Sequence, residues 1–311
     1  MDIAILPGGG YTIPIKEKRV GPMLTKEEFL NLLNNGPVLL DGATGSNLQK
    51  MGMPRGCCSE EWILANPEKL VALQRQYAAA GSKILYAPTF QAQPIALAQV
   101  GLDRQTEAIN AHLVSLSKSV SPDCLVAGNL TTLATFTDSW DEENFDLLVE
   151  NYRRQIKGLM DGGADLLAAE TLLYPQEAEA ILTAAELEGA GASMYSFTMQ
   201  PDGALFSGMD AAPVLQNLIE AGAAAVGFNC VAADNLTAAL VSRLRRQVKG
   251  AILCKPNAGV PVIGEDQQAH YPMGPEEFAA IQSDCAAMGA KLLGGCCGTT
   301  PAHIAAVKAR L

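Results

Sequence analysis

The unit that decides the fold reads most clearly at Ala224-Ala225-Val226-Gly227-Phe228-Asn229-Cys230, where a continuous apolar run ends in an amide and a thiol. An uninterrupted apolar run predicts a strand that is buried on both faces, as the strands of a parallel sheet are. The amphipathic stretch at Asp234–Val248 follows it and predicts a helix. Together they form one β-then-α unit.

The same unit recurs from Pro37 onward. We identify strands at Val38–Asp41, Lys83–Thr89, Leu125–Leu130, Asp165–Thr171, Ser193–Thr198, Ala224–Cys230, Ala251–Pro256 and Lys291–Gly295. Helices are predicted at Pro67–Ala80, Asp103–Ser119, Glu143–Asp161, Pro175–Glu188, Ala211–Ala221, Asp234–Val248, Pro275–Met288 and Pro301–Leu311. Eight units predict an α/β protein that folds as a single (β/α)8 TIM barrel over residues 37–311. Residues 1–36 are predicted to form a short N-terminal extension, with a helix around Thr25–Asn34.

An open doubly wound sheet is the alternative fold for this repeat. Such a sheet usually carries a glycine-rich phosphate loop of the form G-x-G-x-x-G after its first strand. Here that position reads Asp41-Gly42-Ala43-Thr44-Gly45-Ser46, which does not match the pattern. The loop therefore favours the closed barrel.

Composition narrows the classes of function. The chain has 311 residues, 49% of them hydrophobic, and a formal net charge of −11. An acidic chain without a basic patch argues against nucleic acid as a partner. No apolar stretch approaches the roughly 18–20 residues that cross a bilayer, and the N-terminus lacks the charge order of a signal peptide. We therefore expect a cytoplasmic protein without a membrane partner, whose eight cysteines stay reduced.

Polar and sulfur-bearing side chains collect where the predicted strands end. A barrel carries its active site at the carboxyl ends of its strands. The sequence places there Asp41-Gly42, Pro88-Thr89-Phe90, Gly128-Asn129, Glu170-Thr171, Asn229-Cys230, Pro256-Asn257-Ala258-Gly259 and Cys296-Cys297. We expect Asp41 and Glu170 to face the same mouth, where they are suited to bind a cation such as a substrate ammonium.

Two adjacent cysteines stand between glycines in Gly294-Gly295-Cys296-Cys297-Gly298. Core packing does not require glycine on both sides, whereas a turn that presents two thiolates to one soft metal ion does. Strands 6 and 8 lie close together around a barrel, so Cys230 is expected to complete the site. Three thiolates with an open fourth position are the arrangement of a catalytic zinc. We predict one Zn²⁺ per chain.

This ligand set also indicates a type of reaction. Zinc held by three thiolates carries a net negative charge, which makes it a weak Lewis acid and a poor source of hydroxide. It is suited to binding a fourth sulfur. A substrate thiol, whose pKa in water is about 8.5, loses its proton there at neutral pH and stays nucleophilic. Alkylation of a thiol is therefore favoured over hydrolysis.

With these residues assembled, the chain resembles the homocysteine S-methyltransferase family over roughly residues 37–311. That family includes the homocysteine domain of cobalamin-dependent methionine synthase, betaine–homocysteine methyltransferases and S-methylmethionine-dependent enzymes. The resemblance rests on Leu40-Asp41-Gly42-Ala43-Thr44-Gly45, Pro88-Thr89-Phe90, Glu170-Thr171, Gly227-Phe228-Asn229-Cys230, Pro256-Asn257-Ala258-Gly259-Val260-Pro261 and Gly294-Gly295-Cys296-Cys297-Gly298-Thr299-Thr300-Pro301-Ala302-His303-Ile304. Ala87-Pro88 departs from the family's frequent Thr-Asn, so the pocket wall is expected to differ there.

The resemblance implies that a zinc-bound homocysteine thiolate attacks an activated methyl group in line and yields methionine. The zinc ligands that it implies are Cys230, Cys296 and Cys297. The predicted substrate-binding residues are Asp41, Gly42, Ala43, Glu170 and Asn229. Of these, Glu170 is expected to bind the amino group of homocysteine, and Asp41 and Gly42 to contact the substrate backbone.

The methyl donor is a separate question. Cobalamin-dependent members carry folate, cobalamin and reactivation modules that this sequence does not show, so we expect methylcobalamin carried by a separate corrinoid protein. S-Methylmethionine and S-adenosylmethionine are the next alternatives. Betaine would require an aromatic cage, for which Trp62 and Tyr174 are the candidates in a chain that is 5% aromatic. The oligomeric state is left open.

Two other functions remain open at this point. A non-catalytic subunit that presents a zinc-bound thiol to another enzyme would use the same cysteines. A lyase or hydrolase barrel would need histidine or carboxylate ligands and a water nucleophile, which this cysteine set disfavours.

We predict structural roles, and no metal binding, for the other cysteines and for one histidine. The second adjacent pair, Cys57-Cys58, has no third partner in view and is not expected to bind metal. His303, one helical turn after the cysteine pair, is expected to steady that loop. Small buried hydrophobes are the expectation for Cys124, Cys254 and Cys285.

Overall fold

The computed structural model describes residues 21–134, 142–265 and 269–311, together with the backbone of residues 4–5 and 11–12. Eight parallel strands form its centre. Numbered β1–β8 in chain order, they span Val38–Leu39, Ile84–Tyr86, Leu125–Thr131, Leu166–Leu172, Ser193–Phe197, Ala225–Ala232, Ala251–Asn257 and Ala290–Leu293. Each coincides with a strand predicted from an apolar run, and the ends differ by a few residues.

The strands close into a barrel. Neighbours pair in the order β1-β8-β7-β6-β5-β4-β3-β2, and a parallel bridge between Leu40 and Ile84 joins β1 to β2. The prediction of a single (β/α)8 barrel is therefore confirmed, and the open doubly wound alternative is excluded.

Helices lie outside the strands and alternate with them along the chain. The α-helices span Lys26–Leu32, Gly45–Lys50, Ser59–Ala65, Pro67–Ala80, Pro94–Leu97, Thr106–Lys118, Glu142–Asp161, Pro175–Leu187, Ala211–Glu220, Thr237–Gln247, Pro275–Ala287 and Pro301–Arg310. Short 3-10 turns span Leu33–Asn35, Ala98–Val100 and Asp103–Gln105. Two small antiparallel hairpins pair Ala4–Ile5 with Tyr11–Thr12 and Val262–Ile263 with Ala269–His270.

The sixth helix of the repeat begins later than its sequence pattern predicts. The carboxylate of Asp234 accepts hydrogen bonds from the backbone N–H groups of Leu236 and Thr237. An aspartate that accepts from the backbone two and three residues ahead makes the hydrogen bonds of a helix N-cap. Asp234 thus caps a single turn, and the regular helix starts after it at Thr237.

The helix at Lys26–Leu32 closes the end of the barrel that lies opposite to the strand carboxyl ends. A capping box between Thr25 and Glu28 starts it. Phe29 and Leu33 are buried and belong to the same apolar cluster as the inward-facing residues of the strands, among them Ile84. This packing fills the interior of the barrel at the amino ends of the strands. The carboxyl ends of the strands remain available for a functional site.

Among the described residues, no helix has the length and apolarity that a bilayer crossing requires.

Candidate metal centre and active site

The backbone is irregular at the carboxyl ends of β4 and β6, and these irregularities shape the mouth of the barrel, which is its opening at the carboxyl ends of the strands. Thr171 and Cys230 have φ values of 59° and 57°, and they are the non-glycine residues with positive φ in the described part of the chain. The pairing register shifts at both points. Such a conformation costs an L-residue about 1–3 kcal/mol, so surrounding contacts must hold it. Bulges of this type redirect the side chains at a strand end.

The three predicted metal ligands meet at this mouth. The Sγ atoms of Cys230, Cys296 and Cys297 all lie within 4.8 Å of one another, and each residue is partly buried. Tetrahedral coordination with Zn–S bonds of about 2.3 Å separates sulfurs by about 3.8 Å, which this spacing accommodates. The residues present therefore fit a soft divalent metal with one open position.

The backbone of the Cys296–Cys297 turn is fixed to the end of β7. The N–H of Cys296 donates to the carbonyl of Pro256 at 2.7 Å, and the N–H of Cys297 donates to Asn257 Oδ1 at 3.0 Å. Gly298 follows with a φ of 80°, a conformation that favours glycine. The turn thus depends on the residues that the sequence motif supplies.

The three thiols are not equivalent. Hydrogen bonds from Cys230 and Cys296, assisted by Tyr271, lower the pKa of the Cys297 thiol to about 3. Hydrogen bonding to Cys296 and Cys297, together with burial, raises the pKa of Cys230. The contacts within the cluster therefore shift the pKa values of Cys297 and Cys230 in opposite directions.

A cavity of about 270 Å³ opens beside the sulfurs. The loop after β1, the helix at Ser59–Ala65 and the ends of β2, β3, β4 and β7 form its walls. Its lining includes Gly42, Ala43, Glu60, Tyr86, Phe90, Asn129, Glu170, Thr171, Lys255 and the three cysteines. Gly42, Ala43 and Glu170 thus line the cavity, and their contact with substrate stays a prediction.

Glu170 has partners on its protein side. Asn129 Nδ2 donates to Oε1 at 2.9 Å, and Lys255 Nζ donates to Oε2 at 3.1 Å. The residue is 7% exposed. Each carboxylate oxygen keeps lone-pair capacity that a ligand ammonium in the cavity is able to use.

Sequence reasoning missed Lys255. It lies inside β7 and is 4% exposed, with Glu170 at 3.1 Å, Asp41 at 3.9 Å and the ring of Tyr86 at 4.5 Å from its Nζ. Burial alone favours the neutral amine, but Glu170 and Asp41 outweigh it and raise the pKa of Lys255. The sequence signal that could have found it is the single lysine within the apolar run Ala251–Pro256. A lysine in a buried strand needs a charged partner, because an unpaired charge does not remain in a core.

Asp41 lies behind the cavity wall. Its Oδ2 accepts the N–H of Tyr86 at 2.8 Å, and the side chain is fully buried. Burial raises the pKa of Asp41 to about 7, against the opposing effect of Lys255. Asp41 is not among the residues that line the cavity, so direct contact with substrate stays a prediction, and the visible contacts connect it to Lys255 and Tyr86.

Asn229 also lies beneath the lining. Its Oδ1 accepts the Thr171 N–H at 2.7 Å and the Ser196 hydroxyl at 2.9 Å. Its Nδ2 donates to Thr171 Oγ1 at 2.8 Å and to Cys296 Sγ at 3.8 Å. The amide therefore ties the left-handed end of β4 to a metal-site sulfur, and its polar atoms face protein partners. Substrate contact by Asn229 therefore stays a prediction.

Replacing Asn229 by alanine is expected to weaken zinc binding about 10- to 100-fold, the usual cost of losing a group that orients a metal ligand. The change leaves the Thr171 N–H without a partner and removes the donor to Cys296. Competition with a chromophoric chelator measures the zinc dissociation constant directly. Ser196→Ala is the matched control, because it removes only one donor to Asn229 and is expected to change zinc affinity less than about threefold. Equal zinc affinity in both variants would contradict this role.

The other cysteines and His303 have structural surroundings. Cys57 and Cys58 lie outside the cluster of Cys230, Cys296 and Cys297, and the expectation that they bind no metal stays a prediction. His303 caps its helix through Thr300 at 2.9 Å and contacts the Met273 carbonyl at 3.0 Å. Cys124, Cys254 and Cys285 are buried. The candidate cage residues Trp62 and Tyr174 lie outside the cavity lining, and Tyr174 instead contacts Phe206 edge-on.

A (β/α)8 barrel with three cysteines together at the carboxyl ends of its strands defines a class of barrel proteins with a candidate metal site. The homocysteine S-methyltransferase family profile matches residues 38–311. The chain belongs to the homocysteine S-methyltransferase family.

Individual relatives agree with this assignment. Homocysteine S-methyltransferase of Escherichia coli (strain K12) is 31% identical, covering 88% of this chain and 94% of that protein. The crystal structure of the metallated form of the homocysteine methyltransferase MmuM from Escherichia coli superposes with a TM-score of 0.78 at 28% identity, over 90% of this chain and 99% of that chain. Methionine synthase of Mycobacterium tuberculosis is 27% identical over 91% of this chain, which spans 25% of that protein.

Proposed function

We propose that this protein transfers a methyl group to the thiol of homocysteine, forms methionine, and requires one Zn²⁺ held by Cys230, Cys296 and Cys297. The observation that carries the proposal is the convergence of the three sulfurs within 4.8 Å beside a cavity that also contains Glu170. When bound, zinc supplies a position at which a substrate thiol ionises at neutral pH and stays nucleophilic.

The residues of the chain orient the acceptor. The carboxylate of Glu170, held by Asn129 and Lys255, receives the ammonium group of homocysteine. The carbon chain of homocysteine then extends across the cavity, so that its sulfur lies at the three cysteines. The acceptor sulfur forms its bond to the methyl carbon as the bond between methyl and donor breaks, and the donor leaves with that electron pair. Because the acceptor is already a thiolate, the transfer requires no general base.

The donor that we propose is methylcobalamin on a separate corrinoid protein, which the likeness to methionine synthases supports. The alternative is a free sulfonium donor, S-methylmethionine or S-adenosylmethionine. Betaine has the least support, because Trp62 and Tyr174 do not line the cavity.

Methionine formation by the zinc-loaded protein tests this function. Homocysteine is offered with methylcobalamin, S-methylmethionine, S-adenosylmethionine, betaine or methyltetrahydrofolate in parallel reactions, and a chelator-treated sample serves as the control. We expect turnover with one donor class and its loss after zinc removal. Zinc binding at one equivalent without transfer from any donor, including a corrinoid protein captured from native extract, would support the thiol-presenting subunit instead. Full turnover without zinc would contradict the proposed centre.

A further inference from the structure

Lys255 is a buried cation whose surroundings differ from those of an ordinary ion pair. Its Nζ lies between two carboxylates, Glu170 at 3.1 Å and Asp41 at 3.9 Å, and over the face of Tyr86 at 4.5 Å. The side chain is 5% exposed. One carboxylate is enough to neutralise one ammonium. The second carboxylate and the ring face therefore indicate that Lys255 does more than neutralise Glu170.

The cavity that Lys255 lines is otherwise acidic. Its lining contains Glu60 and Glu170 and the sulfurs of Cys230, Cys296 and Cys297. Among the lining residues in the described part of the chain, Lys255 is the one with a cationic side chain. The proposed reaction places still more negative charge there, because three thiolates exceed the charge of a divalent metal and the acceptor thiol also ionises. Such charge is costly in a poorly hydrated site unless a fixed cation lies nearby.

We propose that Lys255 is the fixed counter-cation of this cavity and that it favours an acceptor bound as a thiolate over one bound as a neutral thioether. This inference rests on the proposed function and deepens it, because it assigns the preference for substrate over product to a residue that holds no metal. Lys255 is a positioning residue in this role: it acts through the charge of the cavity and through Glu170, and it forms no bond to the methyl group.

The comparison of homocysteine with methionine separates this role from amino-group recognition. Both ligands carry the same ammonium and carboxylate groups, so any effect of Lys255 on the orientation of Glu170 changes both affinities alike. Only homocysteine adds a negative charge when it binds, because the sulfur of methionine is a neutral thioether. The ratio of the two dissociation constants therefore reports the charge effect alone.

Lys255→Met removes the charge and keeps a side chain of similar length. Titration calorimetry on zinc-loaded protein is expected to show the ratio of the methionine to the homocysteine dissociation constant falling about 10- to 100-fold, since each tenfold corresponds to one unit in the acceptor pKa. Lys255→Arg, which keeps the charge, is expected to recover most of the ratio. An unchanged ratio in Lys255→Met, or equally low ratios in both variants, would overturn the proposal.

Two measurements keep the outcome interpretable. Zinc content and the melting temperature of each variant show whether the centre and the fold persist. Where Lys255→Met alone does not fold, the double variant Glu170→Gln/Lys255→Met removes the charges as a pair, and its ratio is compared with that of Glu170→Gln.

Failure of the unaltered protein to bind homocysteine would refute the proposed function itself. An unaltered protein that binds homocysteine, with variants that keep its ratio, would refute only the role of Lys255.

Discussion

Replacing Cys297 by serine is expected to lower zinc affinity by more than about 100-fold and to abolish methionine formation. Loss of groups that merely orient a metal ligand already costs about 10- to 100-fold, and Cys297 supplies one of the three sulfurs of the proposed centre. A serine hydroxyl does not ionise near neutral pH, and its oxygen is a harder ligand than sulfur. Zinc content after gel filtration and chelator competition measure the first effect, and methionine formation measures the second.

The chain offers a matched control for this substitution. Cys57 belongs to the other adjacent cysteine pair, is exposed and contacts the carbonyl of Pro54 at 3.0 Å. Cys57→Ser is expected to keep one equivalent of zinc and unaltered turnover. A Cys297→Ser protein that retained full zinc and full turnover would refute the three-cysteine centre, whatever the control shows.

Glu170→Gln is expected to raise the KM for homocysteine roughly 30- to 140-fold while kcat changes less than about fivefold. The amide keeps the size of the side chain and an acceptor for Asn129, but it removes the negative charge that receives the substrate ammonium. A hydrogen bond to a charged partner contributes about 2–3 kcal/mol, and loss of an interaction present throughout the reaction appears in KM. Steady-state rates over a range of homocysteine concentrations measure both constants.

A substrate analogue supplies the control for Glu170. 4-Mercaptobutanoate is homocysteine without its amino group, so its affinity does not depend on an ammonium contact. We expect Glu170→Gln not to raise the dissociation constant of this analogue on zinc-loaded protein. An equal loss for homocysteine and for the analogue would show that Glu170 supports the cavity without recognising the amino group.

The barrel was predictable because its strands are buried on both faces. Burial makes each strand a continuous apolar run, and the polar residue that ends the run marks the mouth. Proline at the first helical position, as at Pro175 and Pro301, marked the helix starts. The prediction differed at Asp234, whose side chain caps a turn that precedes the regular helix.

The convergence of the three cysteines was predictable for a related reason. Cys296 and Cys297 are adjacent in a glycine-flanked turn, and Cys230 ends a strand that a barrel brings near. Such a centre needs only that three strand-end side chains converge, which topology ensures. The roles of the polar residues behind it were less accessible, because they depend on which amide or carboxylate each side chain reaches.

The sequence by itself determined the barrel, the family and the convergence of Cys230, Cys296 and Cys297 at the carboxyl ends of the strands. Only the tertiary structure decided that Asn229 bridges Thr171 to Cys296, that Asp41 lies behind the wall, and that Lys255 joins Glu170 and Asp41. The physical reason is the distance along the chain between the residues that interact. Strand burial and turn geometry are set by neighbouring residues, whereas partners such as Glu170 and Lys255 are 85 positions apart and meet only once the barrel has closed.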